Sequence, residues 1–560
     1  MSMDLREEPA DLPSDEPTTP AGPDAALSRR RFMQGAAALA ASVALPAIPG
    51  VAAEGDASGV AAAAKPSTRP NIVLLITDQE RYPQHWPEGW ADRYLPNRRR
   101  MAQHALTFER AFCAASMCSP SRASLFTGLY PAQHGVTQVI QTGVDHADQK
   151  TLQPRTQNLA RMLASAGYDV QYRGKWHMSK DPTGTLDIQS PRDMERYGFR
   201  GWLPPDGGQD QDPTHFGGGD TDYDAQYAAQ AAAYLRAASP KASRPFALIV
   251  ALVNPHDIMA HPAKWDAPSL SDIPPFKGSD NYGADAPGCL EQDIDLPSTV
   301  DEETTRNFKP AAQARSVVMW ADGLGPLHSP QAQLDYVNFY AFLHRESDRH
   351  IGTVLDALDA NPGVRDRTIV IRTADHGEMG LAHGGMRQKG YTAYEETLHV
   401  PLVVANPKMF PKPVRTGALA SLIDLMPTIA TLAKVPDRGK WLFKGRDLAP
   451  VIQDAMDHPS HPTASAQDSV LFTTDEVIGE KIVGQPSHVR CLREADWKVA
   501  MWFDPSGRER PDWELYDLVN DPTELHNLAA PGAPGYRPAK LAEMRAKLER
   551  RMAETGTTPS

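Results

Sequence analysis

The apolar positions of the chain fall into two rhythms. Asn71–Thr77 and Phe246–Val253 are almost uninterrupted apolar runs, the pattern of strands buried on both faces. Tyr168–Tyr172, Thr368–Thr373 and Val400–Val404 are shorter runs that also read as strands. Between them the spacing becomes helical. Thr156–Ala166 places Leu159, Met162 and Leu163 on one face and is closed by Gly167, and Tyr223–Ala238 reads as a surface helix. Leu334–Leu358 repeats Val337, Leu343, Ile351, Val354 and Leu355 at helical spacing, and Leu95-Pro96-Asn97 opens a helical pattern through Met101 and Ala105. Strands alternating with helices predict an α/β core.

Polar residues gather where the apolar runs stop. Asp78-Gln79 ends the first run, Gly174-Lys175-Trp176-His177 follows the Tyr168 run, and Asn254-Pro255-His256-Asp257 follows the third. Asp375-His376-Gly377-Glu378 ends the fourth. Open α/β sheets bind ligands at the carboxyl ends of their strands, so these are candidate site residues. Each also has an ordinary reading: a strand-end cap for Asp78 or Gln79, a structural histidine at 256, a tight turn at 375–377. A histidine titrates near neutrality and suits proton transfer. Lys389 lies in Gly384–Gly390, ahead of Tyr394-Glu395-Glu396, and alone would read as a solvated loop lysine.

One further stretch ties these together. Cys118-Ser119-Pro120-Ser121-Arg122, followed by Ala123–Gly128, resembles the signature of the formylglycine-dependent sulfatases, in which the cysteine is oxidised to an aldehyde. Apart from it, Cys118 reads equally well as a small buried thiol. The other motifs stand in that family's order from about Pro70 to Leu528. The resemblance implies an alkaline phosphatase-like architecture: a large mixed sheet flanked by helices, with a smaller antiparallel sheet from the strand-like runs Ser469–Thr474, Arg490–Trp502 and Trp513–Leu518. It implies that a formylglycine-generating enzyme converts Cys118 and that the hydrated aldehyde attacks a sulfate ester with one hydroxyl and expels sulfate with the other. It assigns Arg122, Lys175 and His177 to holding that group, and His256 and Lys389 to the sulfate and the leaving oxygen. Asp78, Gln79, Asp375 and His376 with an oxygen of residue 118 would bind one divalent cation, Ca²⁺ first and Mg²⁺ or Mn²⁺ next. The family usually has a second aspartate where Gln79 stands, which keeps a phosphonate monoester or phosphodiester hydrolase as the nearest rival and a non-catalytic binding protein as a third reading.

Composition narrows the partners. A net charge of -13 over 560 residues argues against nucleic acid, and four cysteines (113, 118, 289 and 491) are too few for a disulfide scaffold. Residues 1–27 lack apolar periodicity and read as disordered, and Ser28–Met33 resembles a twin-arginine export signal. An alanine-rich run to Ile48 and small residues at 51–53 follow, where a signal peptidase could cut. The expected divisions are therefore 1–68 signal and linker, 69–460 catalytic, and 461–560 small sheet and closing helix. A protein carried by the twin-arginine translocase would be periplasmic or extracellular, with no stable membrane span. His261 to about Gln331, rich in Pro, Asp, Gly and Ser, reads as a long loop walling the substrate pocket, with Tyr82, Trp86 and Trp90 as candidate lining.

Overall fold

The computed structural model describes residues 68–82, 84–140, 149–182, 188–207, 222–261, 288–327 and 329–559. The export signal and residues 262–287 of the expected loop lie outside them. The large sheet is built from β1 (Asn71–Asp78), β2 (Ala105–Phe112), β3 (Asp169–Gly174), β4 (Phe246–Pro255), β5 (Thr368–Ala374), β6 (Leu402–Ala405) and β7 (Val414–Ser421). Their order is β3-β4-β1-β5-β6-β2-β7. The first four are mutually parallel, β6 runs antiparallel to both neighbours, and β2 and β7 are parallel.

The continuous apolar runs are explained by layers on both faces. Val73, Leu75, Leu248 and Val250 point to one side, where the helices Tyr223–Ala237 and Pro330–Asp359 bring Tyr227, Ala231, Leu235, Ile351, Val354 and Leu355. The alternate residues Ile72, Leu74, Ile76, Ala247 and Ile249 meet Leu125, Phe126, Leu159, Met162 and Leu163. Each Val, Leu, Ile, Phe or Met among them contributes about 1.5–3 kcal/mol by leaving water. A charge placed in β1 or β4 would therefore cost most of a domain's net stability.

The small sheet, ordered β11-β10-β9-β8, is antiparallel and comprises β8 (Ser469–Thr474), β9 (His488–Glu494), β10 (Trp497–Phe503) and β11 (Asp512–Asp517). The helix Pro538–Thr555 covers it with Leu541, Met544, Leu548 and Met552.

Two expectations are corrected, and two strands, β2 and β7, lie outside them. The helix opened by Pro96 ends at Ala102, and Ala105 begins β2. β2 holds Glu109 and Arg110 at half-buried positions, so its apolar pattern is broken as it would be in a helix. β7 was hidden because Val414-Arg415-Thr416-Gly417 has alternate residues exposed at the sheet edge. The segment expected to be one loop contains the helix Ala311–Leu324, whose Ala312, Met319, Trp320 and Leu324 are buried.

Candidate active site

Four parallel strands end side by side, which brings their terminal residues together across long sequence separations. Asp78 closes β1, Lys175 follows β3, His256 follows β4, and Asp375 and His376 follow β5. Lys175 is turned inward by Gly174, where φ is +98° and the backbone passes so close to β4 that a Cβ would lie 1.9 Å from the Ala251 carbonyl oxygen. The Lys175 amide donates to that same oxygen at 2.9 Å. Cys118 is the first residue of the helix Cys118–Thr127, every residue of which is buried. A helix amino terminus favours negative charge at this point. The helix closes at Gly128 in the left-handed region, whose amide donates to Ser124 O at 2.9 Å.

At the centre, ligand atoms of Asp78, Cys118, Asp375 and His376 all lie within 4.8 Å of one another, and all four residues are buried. The Cys118 Sγ is 3.1 Å from His376 Nε2 and 3.6 Å from Asp78 Oδ1. His376 Nδ1 donates to the Gly377 carbonyl at 2.9 Å, so Nε2 is the nitrogen that can offer a lone pair to a cation. Arg122 locks the two carboxylates in place: Nε donates to Asp375 Oδ2 at 2.8 Å, Nη2 to Asp78 Oδ2 at 3.1 Å, and Nη1 to the Lys175 carbonyl at 2.9 Å. Lys175 Nζ lies 2.6 Å from Asp78 Oδ2. Two carboxylates, one imidazole lone pair and residue 118 form a donor set that fits a divalent cation. In the unmodified chain Sγ stands where an aldehyde-hydrate oxygen would sit.

Burial and charge pull these groups apart. Burial pushes the Asp78 carboxyl up, but Lys175, His256, Arg122 and His376 outweigh it and hold the group well below the usual carboxylate range. Asp375 is raised by burial and by the charge of Asp78. Burial and Asp78 oppose ionisation of the Cys118 thiol, yet Lys389, Lys175 and His376 bring it well below its ordinary value. His376 is raised, since Asp375 and Cys118 overcome the effect of burial. The pocket is thus poised for an anion at position 118.

The outer residues are held by backbone and side chains together. The Gln79 carboxamide is stretched between Glu378, to which its nitrogen donates, and Lys389, whose ammonium donates to its oxygen. Lys389 Nζ also donates to Gln388 Oε1 at 3.2 Å. The His177 amide donates to Asp206 Oδ2 at 3.0 Å, and its Nε2 lies 2.8 Å from the Ile140 carbonyl. His256 is buried, with Nδ1 3.7 Å from Asp257 Oδ1, and its charge helps lower Asp78.

Residues 70–435 match the family described as Sulfatase. The chain belongs to the sulfatase family. Residues 385–557 of this sulfatase also match the family described as N-sulphoglucosamine sulphohydrolase, C-terminal. It is 26% identical to an ulvan-active sulfatase of Formosa agariphila over 496 residues, covering 87% of this chain and 82% of that one. It is 26% identical over 492 residues to a Δ4,5-hexuronate-2-O-sulfatase of Bacteroides thetaiotaomicron, covering 87% and 90%. The same fold occurs in the phosphonate monoester hydrolase of Agrobacterium radiobacter, at a TM-score of 0.61 and 22% identity over 87% of this chain and 96% of that one.

Three acidic residues of this sulfatase escaped sequence reading. Glu378 accepts from Tyr336 Oη at 2.9 Å, the Gly380 amide at 3.1 Å and the Gln388 amide at 2.9 Å, besides Gln79. Asp206 accepts from the Trp176 amide at 2.6 Å as well as from His177. Glu476 accepts from the Val139 amide at 2.8 Å. Only Glu378 had a signal, its place just after Asp-His-Gly. The aromatic expectation is corrected at Trp90, which is buried among Leu95, Ile258, Tyr336 and Phe339 with Nε1 donating to the Gln292 carbonyl at 2.6 Å. Trp86 is half-buried against Trp90 and His344, and Tyr82 sets its ring on the edge of His399.

Proposed function

We propose that this sulfatase hydrolyses a sulfate ester on a saccharide, with residue 118 oxidised to formylglycine. The observation that carries the reading is the Cys118 thiol at 3.1 Å from His376 Nε2, inside a buried cluster with two aspartates that Arg122 bridges. The names of the ulvan-active and hexuronate-2-O-sulfatase relatives support the saccharide. Formylglycine would supply the attacking hydroxyl, and a divalent cation held by Asp78, Asp375, His376 and residue 118 would neutralise charge on the ester oxygens.

The chain's own residues do the rest. Arg122 keeps Asp78 and Asp375 oriented, and the cationic ends of Lys175 and Lys389 draw the sulfate toward position 118. His177 holds the hydrate, and His256 protonates the leaving oxygen. The Gln79 oxygen accepts from Lys389 and keeps a second lone pair that it could offer to the cation. Gln79, standing where the family usually has a second aspartate, keeps one alternative, hydrolysis of a phosphonate monoester or phosphodiester by the same residue.

The remaining readings concern maturation and location. A formylglycine-generating enzyme would act on Cys118, and the twin-arginine translocase would read Ser28–Met33, delivering the protein to the periplasm or beyond. No helix among the described residues is long and apolar enough to cross a membrane.

Mass spectrometry of the tryptic peptide Ala111–Arg122 from the native host tests the nucleophile. An aldehyde at 118 is expected, and an unmodified thiol would overturn the reading in favour of a binding protein. Turnover of aryl sulfate against aryl phosphonate monoester then separates the two hydrolases, and preference for phosphorus would overturn the sulfate assignment.

A further inference from the structure

The small sheet reaches into the catalytic centre. Its edge strand β8 runs beside the segment leading to residue 118: the Thr473 amide donates to Ala114 O at 3.0 Å and Thr474 Oγ1 donates to Ser116 O at 3.1 Å. Two residues past β8, the Glu476 side chain is 1% exposed. Its Oε1 accepts from the Val477 and Ile478 amides, each at 3.0 Å, and its Oε2 accepts from the Val139 amide at 2.8 Å. Val139 adjoins Ile140, which is pinned twice at the centre. The Ile140 amide donates to Ser119 Oγ at 3.0 Å, in the first turn of the nucleophile helix, and the Ile140 carbonyl lies 2.8 Å from His177 Nε2.

We propose that Glu476 is a positioning residue, which fixes the Val139–Ile140 peptide so that Ile140 orients His177 and Ser119 toward residue 118. Two features support it. Glu476 takes N–H groups from two separate segments at once, Val477 and Ile478 beside it and Val139 across from it, so it ties the small sheet to the Val139–Ile140 peptide. The carboxylate uses both oxygens at once, an arrangement a glutamine cannot copy because its NH₂ would face a backbone N–H. The small sheet therefore completes the active site. The inference rests on the role proposed for His177.

The test uses the full chain, modified at 118, with Glu476→Gln, His177→Ala and the double variant. Glu476→Gln is expected to lower kcat by about ten- to a hundredfold, the scale of a small misplacement of reacting groups, with KM changed less than about twofold. In the His177→Ala background the same change is expected to lower kcat much less, because the route through His177 is already lost and only that through Ser119 remains. Hydrogen exchange at residues 136–140 is expected to quicken in Glu476→Gln while β1 stays protected. Multiplying kcat effects, or unchanged exchange at 136–140, would overturn the proposal. Should Glu476→Gln not fold, Glu476→Asp keeps the charge but falls one methylene short of Val139, and the same outcomes apply. Failure of the hydrolase reading would show separately, as a wild-type protein that turns over no ester, and the exchange comparison would still decide the role of Glu476.

Discussion

Replacing Arg122 by methionine tests how the centre is held together. The guanidinium is fully buried and neutralises two carboxylates that are themselves 0% exposed. Methionine fills much of the volume but leaves Asp78 and Asp375 facing one another, with Lys175 still paired to Asp78. Removing one partner of a buried ion pair costs about 3–5 kcal/mol. Unfolding entropy of about 2.1 cal/mol/K per residue over the roughly 490 residues after the linker makes this a fall in Tm of about 3–5 °C. The sign with pH is fixed as well. Asp375 is already raised by burial and by Asp78, and losing Arg122 raises it further, so the cost grows as pH rises through its folded value and shrinks in acid, where it is protonated. The assay is thermal unfolding at pH 5 and pH 8 of protein made without the modifying enzyme, with and without Ca²⁺. A divalent cation should restore more Tm in the variant than in wild type, since it replaces the lost positive charge. An unchanged Tm, or a larger loss at pH 5 than at pH 8, would refute the view that Arg122 holds the two carboxylates.

Other predictions follow from the same geometry. Gly174→Ala should cost at least about 3 kcal/mol, because the new Cβ would meet the Ala251 oxygen at 1.9 Å, and a variant with wild-type Tm would show the approach is looser than described. Saturating Ca²⁺ at a hundred times its Kd should stabilise the wild type by about 2.7 kcal/mol, and Asp375→Asn should lose most of that shift in a thermal scan. Burial pulls His488 down, but Asp475 and Glu480 outweigh it and raise it to about 9. Its contribution of about 3 kcal/mol should be present below pH 6.5 and lost as pH rises through 9, and His488→Gln should remove that slope from a stability–pH profile. His256→Ala should slow esters with poor leaving groups far more than those with good ones, and an equal loss across an aryl series would count against its role as proton donor.

Much of the fold was legible because strands buried on both faces leave a local trace. β1, β4 and β5 and the helix Pro330–Asp359 were read within a few residues of where they lie, and the polar groups at the strand ends marked the site. β2 and β7 left no such trace, since their half-exposed positions carry Glu109, Arg110 and Arg415. Gln79 shows the limit at the site itself. Its residue type is compatible with a cation, but that its oxygen also accepts from a lysine 310 residues away could not be read locally.

The sequence by itself determined the side chains available: a cysteine at 118 in a motif that resembles the sulfatase signature, acidic and histidine groups at strand ends, and lysines at 175 and 389. It could do so because each motif is short and its meaning lies in neighbouring residues. Only the tertiary structure decided how those groups are aimed. Asp206, Glu378 and Glu476 act as acceptors for amides or side chains, and a backbone N–H carries no residue identity to search for. Val139 and Glu476 are 337 residues apart, and Gln79 and Glu378 are 299 apart. No periodicity spans such distances, and they are closed only when four parallel strands end together and the small sheet docks against the nucleophile segment.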